Sequence, residues 1–150
     1  MVTPAPLVAV LDDEPEMRKA LRRLLTSRGL RVQEYERGQD FLVALETHPP
    51  DCLLLDLHMH AVNGFDVLQA LLDRHIPVPV IVVTAHDKPG TQERVRALGA
   101  SACLKKPVDR DDLLAAIAAA VSHNSNHDAE DRHAPSRPTA ESLASSVEKP

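Results

Sequence analysis

The chain has 150 residues, 43% of them hydrophobic, and carries a formal net charge of −5. A chain near this size buries about two-thirds of its unfolded surface, so a single domain with a real core is expected. The sequence shows neither the clustered basic face that a nucleic-acid surface needs nor anything near the roughly 18 apolar residues of a membrane span. No secretory signal is visible either, because Met1 to Pro6 lacks a charged start and Leu7 to Leu11 is too short for the apolar part. A soluble protein is the expectation.

Strands and helices alternate along the chain. Leu7 to Leu11 reads as a first strand and runs into Asp12 and Asp13. Pro15 suits an early helical position, and Met17, Leu21, Leu24 and Leu25 recur at helical spacing until Gly29. Leu30 to Tyr35 is a short second strand, and Phe41, Leu42 and Leu45 mark a second helix stopped by His48-Pro49-Pro50. The most apolar stretch, Cys52-Leu53-Leu54-Leu55, ends in Asp56, and the turn signal Asn63-Gly64 follows. Phe65, Leu68, Leu71 and Leu72 predict a third helix to about His75. Val78 to Val83, interrupted by Pro79, is a fourth strand ending in Thr84-Ala85, while Pro89-Gly90 delays a fourth helix over Glu93 to Leu98. Ala102-Cys103-Leu104 is a fifth strand ending in Lys105-Lys106-Pro107. Asp109 opens a fifth helix through Leu113, Leu114 and Ile117, with Ala115 to Ala120 adding propensity. Five such units with short connections imply right-handed crossovers and helices on both faces of a parallel sheet.

Ser122 to Pro150 has only Leu143 and Val147 as larger aliphatics, too little apolar surface to offset the entropy of ordering it. The domain is therefore expected to span 1–121, followed by a disordered polar tail over 122–150.

Four strand ends carry acid, acid, hydroxyl and cation. Singly, each has an ordinary reading: Asp56 as a turn former, Asp12-Asp13-Glu14 as acids favoured at a helix N-terminus, Thr84 as a cap, Lys105 and Lys106 as a solvated pair. Strand carboxyl ends of an open parallel sheet converge on one edge, however, so these groups should meet. Three crowded carboxylates repel each other, and a hard cation with oxygen ligands such as Mg²⁺ relieves that repulsion. The same cation neutralises an incoming phosphoryl group while a lysine and a hydroxyl hold its oxygens. Asp56 is then placed to attack phosphorus and become an acyl phosphate.

In this order and at these separations, Asp12-Asp13, Asp56, Thr84-Ala85 and Lys106-Pro107 resemble the receiver domain of bacterial two-component response regulators. The resemblance covers Leu7 to Val121. It implies an α/β, flavodoxin-like, doubly wound (βα)5 fold whose parallel five-stranded sheet has the order 2-1-3-4-5. It also implies that Asp56 takes a phosphoryl group from a histidine kinase or phosphotransfer protein. Asp12, Asp13, Asp56 and the backbone carbonyl of His58 would bind Mg²⁺, and Thr84 and Lys106 would contact the phosphoryl oxygens. Lys106 is preferred to Lys105 because it directly precedes proline. The implied role is signalling rather than enzymatic, with at most slow self-dephosphorylation. Single-domain organisation, a cytoplasmic setting, an unidentified downstream protein target and no contact with nucleic acid or membrane go with it. In that strand order the fourth strand separates Cys52 from Cys103, so both thiols are expected to be reduced.

Two positions depart from the family pattern. His60-Ala61 replaces the usual Pro-Gly, which should loosen that turn, and Cys103 replaces the Phe or Tyr whose inward rotation reports phosphorylation. They leave a constitutive adaptor as the alternative function. A magnesium-dependent phosphohydrolase would need an acid two residues after the nucleophile, where this chain has His58. His58, His60 and His86 invite a transition-metal site, but the expected reading is of loop residues facing solvent.

Overall fold

The computed structural model describes residues 4–59, 61–86 and 88–133, with side chains as far as Ser122. In chain order the elements are β1 Leu7–Leu11, α1 Pro15–Ser27, β2 Arg31–Tyr35, α2 Gly38–Ala44, β3 Cys52–Asp56, α3 Gly64–Asp73, β4 Val80–Thr84, α4 Thr91–Ala97, β5 Ala102–Lys105 and α5 Arg110–His133. The strands form one parallel sheet in the order β2-β1-β3-β4-β5. This is the flavodoxin-like architecture that the sequence predicts. With β4 lying between them, Cys52 on β3 and Cys103 on β5 are kept apart.

β3 and β4 are buried along their whole length, which is why both read as continuous apolar runs rather than alternating ones. Successive residues still face opposite sides of the sheet. Leu53, Leu55 and Val82 pack with Phe41, Leu68 and Val95 on the side of α2, α3 and α4. Leu54, Ile81 and Val83 pack with Leu21, Leu25, Leu113 and Ile117 on the side of α1 and α5. Two cores thus clamp the central strands, and they fix the strand ends that follow.

The register decides which ends meet. Leu11 is level with Leu55, and Leu55 with Val82, so Asp12 leaves β1 where Asp56 closes β3. Asp56 is level with Val83, and Thr84 is level with Lys105 one residue further on.

Several boundaries differ from the sequence expectation, three of them with a clear physical reason. β4 starts at Val80, not Val78, after the Pro79 interruption; α4 starts at Thr91, directly behind Gly90 in the left-handed region at φ 88°. The larger difference is α5, which runs through His133 although disorder was expected from Ser122. Once nucleated, a helix gains one hydrogen bond per residue fixed, and no proline or glycine interrupts the chain between Ser122 and Pro135. The tail from 134 on lies outside the described residues. At its other end α5 starts as predicted, with the Asp109 carboxylate accepting the Asp112 N–H at 3.0 Å.

Candidate functional site

Asp12 is held on every side. Its N–H donates to the Tyr35 carbonyl at 3.2 Å, which ties it to β2. One carboxylate oxygen accepts the Glu14 N–H at 2.9 Å and the other accepts Lys106 Nζ at 3.1 Å. Lys106 also stands 3.4 Å from Glu14 Oε1 and 3.7 Å from Asp56 Oδ1. Its own N–H donates to the Thr84 carbonyl at 2.8 Å, so β4 positions the loop that carries it. The predicted lysine is therefore the one inside the site, and Lys105 stays on β5 with its side chain exposed.

Asp56 is 5% exposed. Its Oδ1 accepts the His58 N–H at 3.3 Å, which holds the residue whose carbonyl the resemblance assigns to the metal. Burial first, and then the neighbouring Asp12 charge, push its carboxyl up to about 6; the Lys106 charge and the His58 N–H work in the other direction. For Lys106, burial alone lowers the ammonium's pKa, but the charges of Asp12, Asp56 and Glu14 together outweigh that and raise it. The lysine stays protonated.

Asp12, Asp13 and Asp56 each offer an oxygen within 4.8 Å of the other two. Two oxygens on one Mg²⁺ lie at most about 4.2 Å apart, so the cluster needs to close by less than about 1 Å to hold such an ion. The donors are all hard carboxylate oxygens on strand ends. They fit a magnesium-type cation and offer nothing to a soft one.

Thr84 is fully buried, and its hydroxyl accepts the His86 N–H at 3.1 Å inside its own loop. It lies one residue past the level of Asp56. Cys103 is level with Val82, two residues before Thr84, and packs on the same side of the sheet. The His58 and His86 rings meet edge to face with centroids 4.5 Å apart. Burial, and then the charges of His86, Lys88 and Lys106, lower the His58 pKa. His60 lies outside the described residues. The charges of Lys88 and Lys106 make the His58–His86 pair an unfavourable place for a cation.

Sequence reasoning missed three participants. Glu14 was read only as an acid near a helix start, yet its carboxylate reaches Lys106. Gly64 was read as half of a turn, whereas Asn63 is the N-cap of α3 in a reciprocal capping box with Asp66. A Cβ on Gly64 would lie 2.6 Å from Leu57 Cα and 2.7 Å from the Asp56 carbonyl oxygen, so glycine lets α3 pack on the backbone of the acid itself. Arg18 donates to the Asp12 carbonyl at 2.7 Å, a contact that helical spacing does not reveal. In the turn that was expected to loosen, Ala61 holds the left-handed conformation at φ 61°, which is strained for an alanine.

The response regulator receiver domain profile matches residues 8–118. The chain belongs to this family. It is 41% identical over 120 residues to the transcriptional regulatory protein KdpE of Mycobacterium tuberculosis, covering 79% of this chain and 52% of the relative. It is 36% identical over 133 residues to the DNA-binding transcriptional regulator NtrC of Klebsiella pneumoniae, covering 88% of this chain and 28% of the relative. The aligned part is thus about a quarter to a half of each relative's own length. Among solved structures, the signal receiver domain of a putative Luxo repressor protein from Vibrio parahaemolyticus superposes with a TM-score of 0.81. That match covers 85% of this chain and 98% of the other at 24% identity, a likeness of fold alone. Receiver domains of two-component systems interact with histidine kinases and bind Mg²⁺ at an acidic pocket, and the Asp12-Asp13-Asp56 cluster is a pocket of that kind. Among the described residues no helix is long and apolar enough to cross a membrane.

Proposed function

We propose that this receiver is phosphorylated on Asp56 by a histidine kinase or a phosphotransfer protein. The observation that carries the reading is Lys106 Nζ standing 3.1 Å from Asp12 and 3.7 Å from Asp56, beside three converging carboxylate oxygens. In the reaction an Asp56 oxygen attacks phosphorus, the bond from phosphorus to the donor imidazole breaks, and the imidazole leaves as a neutral ring after taking a proton. Asp12 and Asp13, with Asp56 itself, would hold Mg²⁺, which when bound offsets the charge gathering on the phosphoryl oxygens. Lys106 exchanges part of its contact with Asp12 and Asp56 for a phosphoryl oxygen. The Thr84 hydroxyl leaves the His86 N–H to take another.

The role is signalling through protein contacts or onward phosphotransfer, in the cytoplasm, with no nucleic acid or membrane bound by the receiver itself. It is a phosphoacceptor with slow hydrolysis of its own acyl phosphate, not a turnover enzyme. Intact-mass measurement after incubation with acetyl phosphate and Mg²⁺ tests the reading. One labile phosphoryl group per chain is expected, lost in Asp56→Asn and absent when the metal is chelated. A stable adduct on histidine or serine would refute the assignment, and no adduct at all would leave the chain a constitutive adaptor.

A further inference from the structure

Two arginines on α1, one turn apart, converge on Glu34 of β2. Arg22 Nη1 takes Glu34 Oε2 at 2.8 Å, and Arg18 Nε faces Oε1 at 3.6 Å. The two side chains are not equivalent. Arg22 is 59% exposed and pairs with Glu34, whereas Arg18 is 15% exposed and turns its other nitrogen, Nη1, onto the Asp12 carbonyl at 2.7 Å. That carbonyl belongs to the peptide joining Asp12 to Asp13. The preceding peptide is pinned from the opposite direction by the Asp12 N–H on Tyr35. Both planes flanking the Asp12 Cα are therefore fixed, one by β2 and one by Arg18.

We propose that Arg18 is a positioning residue for the cation site: it clamps the Asp12–Asp13 peptide so that both carboxylates are aimed at Asp56. The proposal rests on the reading that this cluster takes Mg²⁺. Charge and position make opposite demands here, which gives the idea a sign. One guanidinium nitrogen stands 2.7 Å from the Asp12 carbonyl oxygen, and with a Debye length of about 8 Å at physiological salt its charge repels a cation bound at the carboxylate of that residue. Through charge alone, removing it would tighten Mg²⁺ binding. If it acts by clamping, removal weakens binding, because partners that orient a ligand typically contribute about tenfold or more in metal affinity. Lysine keeps the charge but lacks the planar fork that serves Glu34 and the Asp12 carbonyl at once.

The test is calorimetric titration of wild type, Arg18→Gln, Arg18→Lys and Arg22→Gln with Mg²⁺, together with amide hydrogen exchange in the metal-free proteins. Arg22→Gln removes an ion pair to Glu34 and leaves the Asp12 carbonyl alone, so it controls for lost stability. Arg18→Gln is expected to bind Mg²⁺ about tenfold more weakly and to exchange faster at the Asp13 and Glu14 amides. Arg22→Gln should stay close to wild type in both. Arg18→Lys should also bind more weakly than wild type, and it carries the test if the glutamine variant does not fold. Binding by Arg18→Gln as tight as or tighter than wild type overturns the clamp and leaves the proposed function standing, as does wild-type affinity in Arg18→Lys. If wild type itself takes up no Mg²⁺, the proposed function falls first and the inference with it.

Discussion

At the Asp12–Asp56 end of the strand-end edge, the contacts join charged groups from distant parts of the chain. Lys106 reaches Asp12 and Glu14 across 94 and 92 residues. At the Thr84 end, the hydroxyl is bound two residues away, to the His86 N–H, and that histidine leans on His58. One half is assembled by the whole sheet and held by charge; the other is assembled within a loop and held by neutral contacts. Under the proposed function, phosphoryl transfer to Asp56 belongs to the first half. Under the same proposal, relaying the event toward β5 and α5 would fall to the second, where Cys103 supplies no ring to follow Thr84. Chemistry and relay should therefore respond to different substitutions.

The largest expected effect breaks the charged half. The Asp56 carboxyl, at about 6 in the folded protein, sits above its usual 3.8 because of burial and then Asp12. The folded state holds this proton more tightly than the unfolded chain does. The resulting stabilisation is complete below about pH 4 and lost as pH rises through about 6. Metal-free Asp56→Asn, which mimics the protonated acid, should melt above wild type at pH 7.5 by up to roughly 3 kcal/mol, with the difference closing toward pH 4. A gap independent of pH would show that the carboxylate is not strained by its site.

Gly64→Ala tests the backbone beneath the same acid. Its Cβ would come within 2.6 Å of Leu57 Cα, so overpacking of about 1–3 kcal/mol is expected in denaturant melts. Phosphorylation of Asp56 should slow as well, since the displaced atoms include that residue's own carbonyl oxygen. Wild-type stability and rate in this variant would mean that α3 shifts away without disturbing the acid.

Ala61→Gly should work in the opposite direction. Relief of the left-handed conformation at φ 61° exceeds the extra unfolded-state entropy of glycine, and a gain of about 0.5–1 kcal/mol follows. A loss of stability would place the strain elsewhere.

The smallest effect concerns the relay. Phosphate can shift a conformational equilibrium only by as much as it interacts differently with the two states. Wild type should show hydrogen-exchange changes in the loops after Asp56 and Thr84 and only weak ones around Cys103 and α5. Cys103→Tyr should enlarge the distant response with the phosphorylation rate unaltered. A large wild-type rearrangement at α5, or no change on restoring the aromatic, would erase the distinction between the two halves.

Much of this was legible in the chain. Continuous apolar runs at Cys52–Asp56 and Val80–Thr84 mark strands buried on both faces, and each ends in a polar group that burial alone does not explain. Gly29 closed the first helix as expected, in the left-handed region at φ 81°. Less legible were features without a local pattern. The continuation of α5 past Val121 went against composition, because helix propagation depends on the preceding turn more than on burial. The role of Gly64 was hidden behind a dipeptide that more often makes a turn than a helix start.

The order of elements and the identity of Asp12, Asp13, Asp56, Thr84 and Lys106 were determined by the sequence itself. Strand and helix periodicity is a property of neighbouring residues, and a charge at the end of an apolar run has few other places to go. Which glycine touches the acid's backbone and which of two arginines grips the Asp12 carbonyl were decided only by the tertiary structure. Each depends on distances between residues far apart in the chain, and those distances exist only once sheet register and the packing of α1 and α3 have closed the edge.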